Sequence, residues 1–217
     1  MLKLKRGFTL IEVLVTLVIL LFGLLGIAGL MAKGQRAAFE AFQRQQALSL
    51  AGDMAERILG NRAQAENYAL AAPSTKPVGV SYGLYYADLL KNNITNCTTA
   101  FCVGAELRQY DVAMWEGLLQ GYSESLTATG NKVGGVVNAN GCIDQLATSK
   151  ASCPPAPSPA GNLYTVTLRV SVAWQGSEDT VDPTSLGANL TCGTNLYNSK
   201  NSRRLVATDI NVLADCP

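Results

Sequence analysis

Chemistry in this chain would have to come from a short inventory of side chains. Its 217 residues include no histidine, so the commonest general base and nitrogen metal ligand is missing and histidine-based triads are ruled out. Serine and threonine are plentiful, but none has an evident base. No phosphate-binding loop and no paired-carboxylate constellation stands out. What remains is six cysteines, Cys97, Cys102, Cys142, Cys153, Cys192 and Cys216, and one carboxylate, Glu12, set alone in an apolar stretch. The cysteines lie in polar, loop-like sequence without Cys-x-x-Cys pairs. An even number so placed reads as disulfides made in an oxidising compartment, in preference to a zinc site. No metal, cofactor or enzymatic activity is expected.

The element that positions Glu12 is read from residues 8–31, FTLIEVLVTLVILLFGLLGIAGLM, in which Glu12 is the one charge. About 20 apolar residues suffice for a helix to span a bilayer. Lys3, Lys5 and Arg6 precede the run with no acid among them, which places that end in the cytoplasm and the bulk of the chain outside the inner membrane. The cysteines give the same orientation independently. A secretory signal would be cut at small residues after the run, and Ala28, Gly29, Ala32 and Gly34 offer a weak site. The run is longer than a usual signal core, however, and the helical pattern continues past it.

A carboxylate deep in a bilayer costs on the order of 2.5–3.5 kcal/mol, and less near the interface. Glu12 fits the first helical turn near the headgroups, where the helix dipole favours an acid. Its sharper reading is an acid awaiting a positive partner in an assembly. The charge balance limits other partners. Of 17 basic residues, three precede residue 7, which leaves 14 against 16 acidic, a net charge of −2. A mildly acidic body has no broad attraction for nucleic acid, so none is expected as a partner.

Beyond the membrane segment there is no proline until Pro73. Ala47, Leu50, Ala51, Met54 and Ile58 recur at spacings of three and four, one helical face packed on a globular domain. Asp53 and Arg57 form an i,i+4 pair. Phe8 to Arg62 read as one helix, roughly 55 residues long, would extend ~80 Å. Gly23, Gly26, Gly29 and Gly34 weaken its middle, either for close helix packing or for a segment that extends on leaving the bilayer. Tyr110–Gln120 reads as a short amphipathic helix with Val112, Trp115 and Leu119 on one face. Residues 131–144 read as a strand ending in an Asn140-Gly141 turn. Residues 163–174, LYTVTLRVSVAW, alternate as a half-buried antiparallel strand, and 203–213, RRLVATDINVL, give another. The fold class is α+β: a long N-terminal helix on an antiparallel sheet with disulfide-stapled loops.

KRGFTLIEVLVTLVIL, residues 5–20, resembles the class III signal of type IV prepilins, with a basic leader, Gly at the cut, Phe next and Glu four residues on. The resemblance implies that a prepilin peptidase cuts after Gly7 and that the new amine of Phe8 is methylated. That amine becomes the positive partner for Glu12, which assists docking. Residues 23–62 resemble one branch of the family, the PilV-type minor pilins: Gly23–Leu30 matches their GLLGLAGLQ-like run and Asp53–Arg62 their DMAERIRANR-like helix end. Leu59 and Gly60 depart from the usual Arg-Ala pair.

The resemblance implies a pilin fold organised as a leader over 1–7, a transmembrane helix over 8–31 and its amphipathic continuation over 32–62. A linker over 63–77 and a periplasmic or extracellular domain over 78–217 follow. Cysteine pairing between neighbours is expected: 97–102, 142–153, and 192–216 closing a C-terminal loop like that of many pilins. The function implied is a minor pilin that helps prime assembly and enters the filament near its tip. It would be held first in the inner membrane with its N-terminus cytoplasmic, and later in the extracellular pilus. Partners implied are the prepilin peptidase, other minor pilins, the major pilin and the inner-membrane assembly platform. A tip adhesion subunit and a type II secretion pseudopilin are the alternatives.

Overall fold

Uninterrupted apolar and helix-favouring sequence from Leu10 onward produces one helix, α1 (Leu10–Gly60, 51 residues). The computed structural model describes residues 7–81, 83, 85–122, 135–154, 162–187 and 189–216. The chain divides into two units, one ending at Ala41 and one beginning at Phe42.

The first unit is the N-terminal part of α1. An 18-residue window there has mean hydropathy 2.8 and no residue buried within the chain, so the helix is long and apolar enough to cross a membrane. Leu, Val, Ile and Phe side chains are exposed on all sides of it, as a helix surrounded by lipid requires. Thr16 Oγ1 donates to the Val13 carbonyl at 2.8 Å, so its hydroxyl is satisfied inside the helix, as lipid demands.

In the second unit α1 becomes one-sided. Gln43, Ala47, Ala51, Met54, Ala55 and Ile58 are buried, which is the predicted stripe; Leu50 packs at its margin. A 3-10 turn (Arg62–Gln64) and α2 (Ala65–Ala71) follow, then α3 (Tyr85–Leu90) and α4 (Gly104–Leu119). α4 begins earlier than its apolar face announces, because Glu106 reaches back to accept from the Val103 N–H at 3.1 Å and caps the start. Val112, Trp115 and Leu119 share its buried face as expected. The 63–77 stretch, expected as linker, carries α2, whose Tyr68 and Ala69 are buried. Its reach ends at Ala72, where the carbonyl accepts from the Ile143 N–H at 2.7 Å.

Four strands, β1 (Val78–Gly79), β2 (Asn140–Thr148), β3 (Leu163–Gln175) and β4 (Arg203–Asp215), form an antiparallel sheet in that order. Asn140-Gly141 opens β2 instead of ending a strand, since Asn140 pairs with Ala173 and Gly141 with Val172. Of the strand expected over 131–144, residues 131–134 lie outside the described residues. The inward alternation of β3 is as read, from Tyr164 through Val166, Leu168, Val170 and Val172 to Trp174. Ser171 and Ala173, on the opposite face, are buried too. Cys142, Cys192 and Tyr197 cover that face locally, so the sheet is half-buried along only part of its length.

The disulfides correct the neighbour pairing. Cys97 joins Cys102, but Cys142 joins Cys192 and Cys153 joins Cys216. The expected 142–153 and 192–216 bonds fail on strand geometry. Cys142 sits near one end of β2 and Cys153 beyond the other; the strand between them spans ~20 Å, whereas bridged Cα atoms lie within about 7 Å. Cys192 lies beside the start of β4, its carbonyl accepting from Arg203 at 2.7 Å. Cys216 follows the far end of that strand. The observed bonds instead tie groups that meet at the same end of the sheet.

Candidate processing and anchoring site

The first backbone bonds of α1 fix what precedes it. The Thr9 carbonyl accepts from the N–H groups of Glu12 at 3.1 Å and Val13 at 3.3 Å, so helix begins immediately after Thr9. Thr9-x-x-Glu12 is the spacing of a capping box, a local start signal that the apolar pattern alone does not supply. Gly7, Phe8 and Thr9 precede the helix and are exposed, with Phe8 at 82%. A peptidase needs such an unwound, accessible bond.

Gly7 is not required by the fold. A Cβ added there meets nothing within 4 Å, and its backbone is not in the left-handed region. A demand for glycine at this position therefore arises outside the chain, as it does when an enzyme must approach the backbone. Glu12 lies in the first turn of α1 and is exposed. Thr16, one turn on, directs its hydroxyl to Val13 and not to Glu12. Among the described residues no cation forms an ion pair with Glu12. The carboxylate is thus presented on an apolar helix without a partner among the described residues. The chain carries a prokaryotic N-terminal methylation motif. The model of that motif matches residues 2–28, which spans the basic residues, Gly7-Phe8, Glu12 and most of the apolar run. No curated protein and no solved structure matches the chain. The motif is a type IV prepilin-like signal, and with the apolar helix it fits a membrane-anchored, pilin-like protein. It implies processing by prepilin peptidase and handling by membrane pilus machinery.

Within the second unit a polar cluster ties the C-terminal part of α1 to α2 and α4. Arg57 Nε donates to Asp53 at 2.8 Å and Arg57 Nη1 to Asp111 of α4 at 3.1 Å. Asp111 also accepts from the Tyr68 hydroxyl at 2.6 Å. Asn61 Nδ2 donates to that hydroxyl at 3.2 Å and to the Gly104 carbonyl at 2.8 Å. Trp115 Nε1 donates to the Leu50 carbonyl at 2.8 Å, so the indole docks on the helix backbone itself. Burial and then the adjacent Asp111 push the Tyr68 phenol well above its ordinary value, so it stays a neutral donor. The Asp53–Arg57 pair is legible in sequence. The parts of Asp111, Tyr68 and Asn61 are not, because their partners are distant along the chain. Among the described residues no cluster of histidine, cysteine or carboxylate side chains could hold a metal.

Proposed function

We propose that the chain is a minor, PilV-like subunit of a bacterial type IV pilus that helps prime assembly and enters the filament near its tip. The observation that carries this reading is the exposed Gly7-Phe8 junction just ahead of an apolar helix bearing Glu12, which has no ion-pair partner among the described residues, all within the matched motif. Cleavage after Gly7 releases a primary amine on Phe8, which is then methylated. Methylation leaves the amine protonated and positive. Glu12 one turn away, or the same residue of a neighbouring subunit, meets that charge; in lipid such a pair fixes the axial register of adjacent helices. The polar cluster of Arg57, Asp111 and Tyr68 then carries the register into the globular unit. The chain performs no chemistry of its own and is the peptidase's substrate. Other minor pilins, the major pilin and the inner-membrane platform are its partners. It begins in the inner membrane, with the globular unit periplasmic, and ends in the extracellular pilus.

The test is the mass of the mature N-terminus, with the bacterial phenotype beside it. N-methylated Phe8, with pili and twitching lost on deletion while protein secretion continues, is the expected outcome. A start near residue 30 refutes the leader assignment. Lost secretion with intact pili moves the chain to the pseudopilins, which share the motif. Normal pilus number with lost attachment makes it an adhesion subunit.

A further inference from the structure

The loop between β3 and β4 folds over the sheet face that carries Ala173, where Cys192 and Tyr197 cover it. A pocket of about 240 Å³ opens in this loop. Its wall is the stretch from Gly193 to Lys200, together with Arg203 of β4.

The wall is held in place by groups that a ligand need not order. Cys192 is bonded to Cys142, and both are buried. Gly193 has φ +70°, and a Cβ there would meet the Tyr197 ring at 2.9 Å and the Ala173 Cβ at 3.0 Å. Only glycine therefore lets that ring settle on the sheet. The Tyr197 hydroxyl donates to the Asn138 carbonyl at 3.2 Å and accepts from Asn140 Nδ2 at 3.1 Å. Ser199 Oγ accepts from the N–H groups of Asn201 at 3.0 Å and Ser202 at 3.3 Å. A wall fixed in this way binds without a large cost in ordering.

Arg203 is the unusual member. It is only 2% exposed. Its Nη1 donates to the carbonyls of Leu190 at 3.0 Å and Cys192 at 2.7 Å, and its Nη2 to Asp182 at 2.8 Å. Its Nε–H has no acceptor among the described residues. Unlike the Nε of Arg108, it is not sealed from solvent. A withdrawn guanidinium thus keeps a donor in hand at the pocket. Beside it are the amides of Asn195 and Asn198 and the ammonium of Lys200, all exposed and without a side-chain partner among the described residues. No carboxylate lines the space. Two stand behind the wall: Asp182, held by Arg203, and Asp179, which accepts from Ser199 Oγ at 3.1 Å.

We propose that this pocket binds a tetrahedral oxyanion, a sulfate or phosphate group. Its free side chains are mainly donors, and two of them, Lys200 and Arg203, are cations. Such a set calls for a ligand made of acceptors. Four donor side chains outnumber the two oxygens of a carboxylate and match a group with three or four. A water molecule occupies roughly 30 Å³, so the space takes the oxyanion and the first atoms of an ester. The group can therefore arrive as the free anion or as a monoester.

The test uses the full chain, labelled with ¹⁵N, in detergent micelles at fixed ionic strength, with chloride as the balancing ion. Titration with inorganic phosphate or sulfate should give saturable shifts at the amides of residues 193–200 and at the Arg203 Nε–H. Lys200 is exposed and bonds to nothing in the fold, so Lys200→Glu should keep the fold. Reversing one charge at contact distance in a solvated site should weaken binding at least about tenfold. Asp179→Asn should strengthen it, because Ser199 keeps an acceptor while a nearby negative charge is lost. Glycerol phosphate separates the sources: binding equal to phosphate assigns the site to esters, and weaker binding assigns it to the free anion. No saturation, equal shifts with chloride or with glycerol, or unchanged binding in Lys200→Glu would each overturn the proposal.

Discussion

Removing the Cys142–Cys192 bond by substituting both residues with alanine should cost the globular unit about 4 kcal/mol. The two cysteines are 50 residues apart, and closing a loop of that size in the unfolded chain is worth ~4 kcal/mol. The retained Cys153–Cys216 bond offers a shorter path, from Cys142 to Cys153, across the bond, and back from Cys216 to Cys192. That path of roughly 35 residues lowers the figure by only ~0.3 kcal/mol, because the dependence on length is logarithmic. Alanine is the right replacement, since both sites are essentially buried and a serine hydroxyl would lack a partner. Against a typical total of 5–15 kcal/mol, a loss of this size is large. Trp115 and Trp174, both buried in this unit, report unfolding by fluorescence in urea. The midpoint should fall with little change in slope. The Cys97–Cys102 pair, closing a five-residue separation, should contribute only about 2 kcal/mol by the same relation. A loss under ~1 kcal/mol for the first pair, or a larger loss for the second, would refute the loop-closure argument.

Four further outcomes are expected. Replacing Gly7 by a bulky residue should leave the fold unchanged, because a Cβ added at that exposed position meets nothing within 4 Å, while uncut precursor accumulates in membranes, seen as a higher mass on a blot. Glu12→Val should preserve membrane insertion and reduce the protein's share of sheared filaments; equal incorporation would dismiss the charge-pair role. Arg57→Leu should destabilise the unit by about 3 kcal/mol in urea melts, because it strands the nearly buried Asp111, and adding Asp111→Asn should recover part of the loss. Hydrogen bonds from Thr184, and then Arg203, hold the Asp182 carboxyl down to about 2, against its ordinary 3.8. A folded value lowered in this way adds stability that is complete above about pH 4 and is lost as pH falls toward 2. Acid unfolding followed by tryptophan fluorescence should be less steep there in Asp182→Asn.

Wherever the physics is local, the primary sequence was a sufficient guide. A run of apolar residues with a single carboxylate and a basic start specifies the apolar N-terminal helix and the prepilin-like signal without reference to any other part of the chain. The stripe from Ala47 to Ile58, the face of Trp115 and the alternation of β3 are likewise periodic, and period follows from secondary structure alone. The absence of histidine limited the chemistry before any fold was considered. Tertiary structure decided everything that depends on which distant segments meet. It placed Cys142 against Cys192 and Cys153 against Cys216, because extended strands hold sequence neighbours far apart and bring strand ends together. It put Asp111 beside Arg57 and buried Tyr68 in a stretch that reads as linker. It buried the second face of β3 at Ser171 and Ala173 under a disulfide-held loop. It also left β4 at the edge of the sheet, a consequence of strand order that no pattern within the strand records.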